Sequence, residues 1–312
     1  MIRASWPRIA GALFTLAGFV LCIVALGKLG FRQDLANFAH AGIVATLFAT
    51  ALAALIASAF SWRNYLLALS GHRLAFGAAF YQVALVLTGK YVPIILGGVF
   101  ARVAANAGRV RPASVVGATL LEQCGALAAA TWVGAACIAG AYVPVAGIAL
   151  LVLAFAAALI APACAKPVLA IILWLRARFR REPAIAGEVS DRRAASRAWI
   201  AQVVQWVVLS LFVGTVLHAM RPDLPSADLL KLCGAYGVAV VVGIAAFMFP
   251  GGLGPREATF IWIAGHVVDY DVALAMASAL RVAMTGIDLL AGAGYLLHWT
   301  THAIEKRSFD TP

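Results

Sequence analysis

Ionised side chains stand at Lys90, Arg102, Glu122, Arg256, Glu257, Arg281 and Asp288, within stretches that are otherwise almost wholly apolar. A charge in such surroundings must be paired, hydrogen-bonded or turned toward water, because burying it alone is costly. Lys90 comes just before a break at Tyr91-Val-Pro93. Arg256 and Glu257 come just after a second break, Pro250-Gly251-Gly252-Leu253-Gly254-Pro255, and Arg102 lies on the stretch returning from the first. Four cations directed at two Pro/Gly breaks suit an anion, and the planar fork of arginine suits phosphate. Snorkelling of Lys90, Arg102 and Arg256 to a membrane surface is the alternative. Glu122, Glu257 and Asp288 are available either to carry protons or to close ion pairs that hold helices together. Glu122 and Arg281 each lie nine residues into a long apolar stretch, ~14 Å deep at ~1.5 Å per residue. A Glu122–Arg281 pair between the two halves of the chain is therefore expected.

The elements that position these groups follow from composition. Of 312 residues, 63% are apolar and 12% charged, against ~45–50% and ~25% in soluble domains. A globular fold cannot hide such an excess, which excludes a soluble enzyme, a disordered chain and a fibrous one. The chain reads as an all-α polytopic membrane protein. Its net charge of +11 reports orientation rather than nucleic-acid binding, because Lys and Arg gather on cytoplasmic loops. The stretch 166–197, with Arg176, Arg178, Arg180, Arg181, Arg192 and Arg193 among its cations, is then cytoplasmic. The N-terminus falls on the same side, in the cytoplasmic (inner) membrane.

Apolar segments run over 9–27, 41–60, 75–89, 93–108, 113–141, 143–164, 198–219, 229–249, 255–266 and 272–299. A crossing needs ~20 residues, so 75–89, 93–108 and 255–266 are too short to cross alone. The segment at 9–27 reads as an uncleaved first span. Cys22, Cys124, Cys137, Cys164 and Cys233 show no CxxC spacing and are expected as buried, inert thiols; the histidines form no HExxH, and His298 and His302 alone stand at HxxxH spacing, so no metal site is expected. Gln82, Asn106, Gln123, Gln202 and Gln205 suit interhelical hydrogen bonds. Trp6, Trp62, Trp174, Trp199 and Trp299 lie near span ends and read as interfacial anchors.

Residues 93–97 and 250–254 are both PxxLG, 157 positions apart, and Tyr81-Gln-Val-Ala-Leu-Val resembles Tyr236-Gly-Val-Ala-Val-Val at an offset of 155. Each half then holds two spans, a broken hairpin and one long span. The first repeat covers 1–142 with its hairpin at 75–108. The second covers 143–312, with two spans joined by the basic segment and a hairpin at 229–266. The expected architecture is an inverted-topology repeat of about six full spans plus two broken re-entrant helical hairpins. Such repeats place substrate at the midplane, where broken helices expose their ends, and irregular backbone persists there only under cover of protein or a water-filled cavity.

The segments Thr88-Gly-Lys-Tyr-Val-Pro93 and Phe249-Pro-Gly-Gly-Leu-Gly-Pro-Arg-Glu257 resemble the signatures of the flippase-like transmembrane family typified by the membrane domain of lysylphosphatidylglycerol synthases. The first also resembles members found beside polysaccharide glycosyltransferases. The resemblance implies movement of lipids or lipid-linked sugars between leaflets. It carries over to Lys90, Tyr91, Pro93, Gly251, Gly252, Gly254, Arg256 and Glu257, and Glu122 resembles the acidic residue in the span after the first motif. Ile94 stands where relatives often have Gly. The 13 residues after Trp299 hold no soluble aminoacyltransferase domain, so synthesis of an aminoacyl lipid is not expected.

The expected function is therefore a lipid flippase without enzymatic activity or cofactor, taking a phosphate headgroup at Lys90, Tyr91, Arg102, Gly251, Gly252, Gly254, Arg256 and Arg281. Glu122, Glu257 and Asp288 would serve in coupling or ion pairing, and Pro93 and Pro250 as helix breaks. The partners implied are a membrane lipid or lipid-linked sugar, with glycosyltransferase or cell-envelope proteins beside it. Secondary transport of a small anion, an enzyme of polyprenyl phosphates, and a scaffold assisting polysaccharide or glycolipid assembly are the alternatives.

Overall fold

The computed structural model describes residues 38, 40–89, 97–163, 170, 191–246 and 254–309. The proposed first span, the two breaks with Lys90, Tyr91, Pro93, Pro250, Gly251 and Gly252, and most of the basic segment lie outside the described residues. Those described are helical: α1 Ala41–Ser70, α2 Phe76–Gly89, α3 Gly97–Ala105, α4 Pro112–Tyr142, α5 Pro144–Ala156, α6 Arg192–Met220, α7 Ser226–Ala245, α8 Pro255–Ala264 and α9 Tyr270–Phe309. Helices α1, α4, α6, α7 and α9 contain stretches long and apolar enough to cross a membrane. Val44, Phe48, Leu52, Ile56 and Phe60 form an exposed stripe down α1, the face expected of a helix bordered by lipid rather than water.

Helix ends follow local chemistry. α1 runs ten residues past the apolar segment's expected end at 60, because its polar residues there turn inward: Ser61, Trp62, Asn64 and Tyr65 are all buried. It stops at Gly71, whose φ of 68° suits glycine and whose N–H donates to Leu67 O. Pro112 and Pro144 open α4 and α5 at the first turn, where a missing N–H does no harm. The expected span at 143–164 is helical but interrupted, since α5 gives way to a 3₁₀ turn at Ala157–Leu159. Ser196 Oγ donates to Ala158 O at 2.7 Å and Trp199 Nε1 to Ala154 O at 2.8 Å. Trp199 is therefore a buried brace between helices, and not the lipid-facing anchor expected of it.

Helices α1 and α6 run antiparallel, with Asp191 N–H donating to Ala68 O and Tyr65 Oη reaching Gln202 Oε1 at 3.5 Å. Asp191 also caps α6 by accepting from Ala194 N–H at 3.0 Å. α2 packs antiparallel against α3, and α7 against α8. At ~1.5 Å per residue, the 14 residues of α2, nine of α3 and ten of α8 fall short of a ~30 Å hydrocarbon core, whereas the 20 of α7 have a crossing's length.

Exchanging 41–142 for 192–309 preserves much of the packing. The second hairpin helix of each half, α3 or α8, packs on its own long helix, α4 or α9. The first, α2 or α7, packs instead on the long helix of the other half. The α7–α4 contact depends on glycine: a Cβ at Gly234 would lie 2.7 Å from Gly134 O, so the backbones approach as closely as small residues permit.

Candidate functional site

Both halves carry an arginine–glutamate pair between the second hairpin helix and the long helix that follows. In the first half Arg102 on α3 pairs with Glu122 on α4, and its guanidinium contacts both carboxylate oxygens. In the second, Glu257 on α8 meets Arg281 on α9 at 3.4 Å. The polarity is reversed: the cation sits on the short helix in one half and on the long helix in the other. The expected Glu122–Arg281 pair does not form, because equal depth in two helices does not make them neighbours.

A sequence signal for the observed pairs does exist. Across an antiparallel helical turn, residues equidistant from its centre meet. Arg102 and Glu122 lie ten residues either side of Pro112, and Glu257 and Arg281 lie 12 either side of Asp269 (102 + 10, 122 − 10; 257 + 12, 281 − 12).

The first pair is closed on every side. Arg102 is 2% exposed and its guanidinium lies 3.8 Å from the centroid of the Trp62 ring, a cation–π contact in a dry site. Trp62 Nε1 donates to Gln82 Oε1 at 2.9 Å; Asn106 Nδ2 donates to the same oxygen at 3.0 Å and to Arg102 O at 2.7 Å. Gln202 Nε2, from α6, donates to Glu122 O at 2.7 Å. Only Arg102 Nε in this group lacks a hydrogen-bond partner among the described residues. Trp62 is thus a buried lid over Arg102, not an interfacial anchor, because α1 continues well beyond it. Arg102, expected to bind substrate, is engaged by Glu122 and covered. Gln82, Asn106 and Gln202 make interhelical bonds as expected, while Gln123 is exposed and Gln205 half-buried. Cys233 is buried and Cys137 half-buried, but Cys124 is exposed and so is not the buried thiol expected. No group of three His, Cys, Asp or Glu among the described residues could hold a metal ion.

The second cluster is looser and more accessible. The Arg256 guanidinium donates to Tyr236 Oη and lies 4.8 Å from that ring's centroid. Glu257 Oε2 accepts from Gly254 N–H at 2.9 Å, which satisfies one of the unpaired donors at the start of α8. Gly254 itself has φ of 90°, a conformation that favours glycine. A Cβ at Gly243 would come within 2.8 Å of Arg256 Cβ, so glycine there lets α8 begin against α7. Along α9, Ser278, Arg281, Thr285 and Asp288 are all buried at three- and four-residue spacing, one polar stripe on an apolar helix. Tyr236, Arg256, Glu257, Phe260, Ala277 and Leu280 line a narrow cleft. Tyr236 was legible only as the partner of Tyr81 in the repeat; its contact with Arg256 depends on the fold-back of α8. The arrangement offers a guanidinium, a phenol and a second arginine 3.4 Å from a half-buried carboxylate.

Outside the expected site, Arg221 and Asp223 pair at 2.6 Å in the turn before α7. The hydrogen-bonded Arg221 guanidinium holds the Asp223 carboxyl down at about 2. Comparison with protein-family models gives no match, and neither does comparison with curated proteins.

Proposed function

We propose that this chain is a membrane transporter that moves a phosphate-bearing lipid, either a phospholipid or a polyprenyl-linked sugar, between leaflets. The observation that carries the reading is the Arg256–Tyr236 and Glu257–Arg281 cluster beside a cleft at the N-terminus of α8. A phosphate headgroup would accept hydrogen bonds from Arg256 and, once Glu257 moves aside, from Arg281, while its tails stay in the bilayer. The N-terminal end of a helix also favours an anion. Lys90, Tyr91, Gly251 and Gly252 belong to the same proposal as groups contributed by the two breaks.

The packing supports an inverted-topology repeat. Equivalent helices α1 and α6 are antiparallel neighbours, and each half's first hairpin helix lies on the other half's long helix. Such repeats serve alternating access, with substrate at the junction of broken helices. Arg102, expected at the headgroup, belongs in this reading to structure, and Glu122 takes the ion-pair role that the sequence also allowed it. The resemblance to the flippase-like family supports the lipid, the cytoplasmic-membrane location and a place beside cell-envelope glycosyltransferases. The sequence carries no GxxxxGK[ST] phosphate loop, which favours a gradient or a downhill process over ATP.

Secondary transport of a small anion is the second reading, favoured by the narrowness of the cleft. Sealed proteoliposomes decide between the two. Redistribution of a fluorescent phosphatidylglycerol or polyprenyl phosphate between leaflets is the expected result. Uptake of water-soluble phosphate with no lipid redistribution would overturn the lipid reading.

A further inference from the structure

Three turns far apart in sequence meet at one end of the bundle. Asp191 N–H, just before α6, donates to Ala68 O near the end of α1, and Ala68 packs on Ala194 and Ala195. Leu74 of the α1–α2 turn and Ala198 of α6 share an apolar cluster with Val115 of α4, and Val110 of the α3–α4 turn packs against it. This end carries Arg73, Arg109, Arg111, Arg192, Arg193 and Arg197, all exposed. Within 61–75, 106–115 and 191–198 the one carboxylate is Asp191, which accepts from Ala194 N–H. The ion pairs among the described residues lie elsewhere. Nor does the neighbouring sequence balance the excess, since 164–190 adds Lys166, Arg176, Arg178, Arg180 and Arg181 against Glu182 and Glu188.

The opposite end differs. There Arg221 is paired with Asp223 and Lys231 with Asp228, and the α8–α9 turn adds Asp269 and Asp271. Cations are thus concentrated at a single end, where they repel one another and an anion would relieve the repulsion.

The kind of anion follows from where the arginines stand. On α6, Arg193, Arg197, Ile200, Val204, Leu211 and His218 recur at spacings of three, four or seven and are all exposed, which makes one outward stripe. Arg197 and His218 are 21 residues apart (218 − 197), ~32 Å at ~1.5 Å per residue, a match to a ~30 Å hydrocarbon core. On α1 the exposed stripe from Val44 to Phe60 is followed, one turn later, by half-buried Arg63. Both helices therefore carry an arginine where lipid tails give way to headgroups. A soluble acidic partner would call for cations on the end of the bundle alone, and these stand on its flank as well. Arginine at every position also suits phosphate, which its planar fork holds by two hydrogen bonds.

We propose that this end of the bundle binds anionic phospholipids of the leaflet it faces, their phosphates bridging the α1–α2 and α3–α4 turns to the start of α6. The surface is separate from the Arg256 cleft and does not depend on what that cleft carries. Bound lipid makes the stability of the fold depend on the charge of that leaflet.

Native mass spectrometry of the full chain, released from nanodiscs of equimolar phosphatidylglycerol and phosphatidylcholine, tests the proposal. The expected result is more than one phosphatidylglycerol retained per chain, at a preference of at least about tenfold over phosphatidylcholine. High salt during lipid exchange should reduce that preference. Combining Arg109→Gln, Arg111→Gln, Arg192→Gln and Arg193→Gln is expected to cut it about fivefold or more, while the cations of 164–190 remain to keep the orientation. Lys231→Gln, at the other end, leaves the preference unchanged, and Arg256→Ala loses at most the single lipid of the cleft. Where the combined variant fails to fold, the wild-type thermal midpoint decides: it should be higher in the mixed nanodiscs than in phosphatidylcholine alone, and equal midpoints overturn the proposal. Equal retention of the two lipids overturns it, as does an unchanged preference in the folded combined variant. Phosphatidylglycerol retention that Arg256→Ala alone abolishes also overturns it and leaves the cleft reading standing. Binding of soluble polyglutamate with no preference between the lipids assigns the surface to an acidic protein and overturns the lipid.

Discussion

The first half buries its arginine and glutamate at 2% and 7% side-chain exposure, under an indole and inside a ring of amides, whereas the second leaves its glutamate 18% exposed at the rim of a cleft. The same two residue types, with reversed polarity, thus make a sealed contact in one half and a longer, more accessible one in the other. The difference comes from what surrounds them. Trp62 covers the first pair, Gln82 and Asn106 bond around it, and Gln202 holds the Glu122 backbone. In the second, Glu257 also caps its own helix, and Tyr236 holds a further arginine beside it. The same two residue types can therefore sit sealed in one part of a chain and accessible in another.

The comparison breaks most readily at the anchored pair. Arg102→Ala strands a buried carboxylate and is expected to destabilise the protein by ~3–5 kcal/mol, seen as a large fall in thermal midpoint in detergent. Arg102→Met combined with Glu122→Leu removes both charges and is expected to recover most of that loss. Equal instability of the single and double variants would mean that the pair is not what holds α3 to α4. Next in size, Gly234→Leu forces α7 away from Gly134 and should cost ~1–3 kcal/mol by overpacking, with α4–α7 crosslinking as the structural readout. Tyr236→Phe deletes one hydrogen bond to a charged group, worth ~1.5–3 kcal/mol where desolvated. We expect about a tenfold drop in lipid movement with the same amount of folded protein; an unchanged rate would remove the phenol from the site. The smallest effect belongs to Arg221–Asp223 on the exposed turn. Because the Asp223 carboxyl is held down at about 2, its contribution is present above the ordinary aspartate range near 3.8 and is lost as pH falls through about 2. Asp223→Asn should therefore lose a small contribution at neutral pH and none below about pH 2, and an acid-unfolding curve checks this.

Much of this arrangement is legible in the residues themselves. Composition dictates the solvent, and the seven ionisable residues advertise themselves by standing in apolar runs. Their partners were harder to read. Depth along a helix suggested Glu122 with Arg281, but pairing is decided by which helices touch and by rotation about their axes, and the turns after α3 and α8 bring Arg102 and Glu257 back first. Trp62 misled for a similar reason. Its neighbour Arg63 suggests a membrane boundary, yet α1 continues to Ser70 because Trp62 and Tyr65 find interior partners in Gln82 and Gln202. The contrast between a sealed and an open half has no signature in residue type, since both halves use arginine, glutamate and an aromatic ring.

The central claim is that the Arg256 cluster handles the headgroup while the Arg102 pair only holds the scaffold. The most direct measurement is the rate of fluorescent phosphatidylglycerol redistribution per folded protein in proteoliposomes, for Arg256→Ala beside the Arg102→Met, Glu122→Leu double variant. The account predicts at least a tenfold loss in Arg256→Ala, about 1.4 kcal/mol of lost stabilisation or more, and a near wild-type rate in the double variant. A normal rate in Arg256→Ala, with transport abolished in a folded double variant, would contradict it.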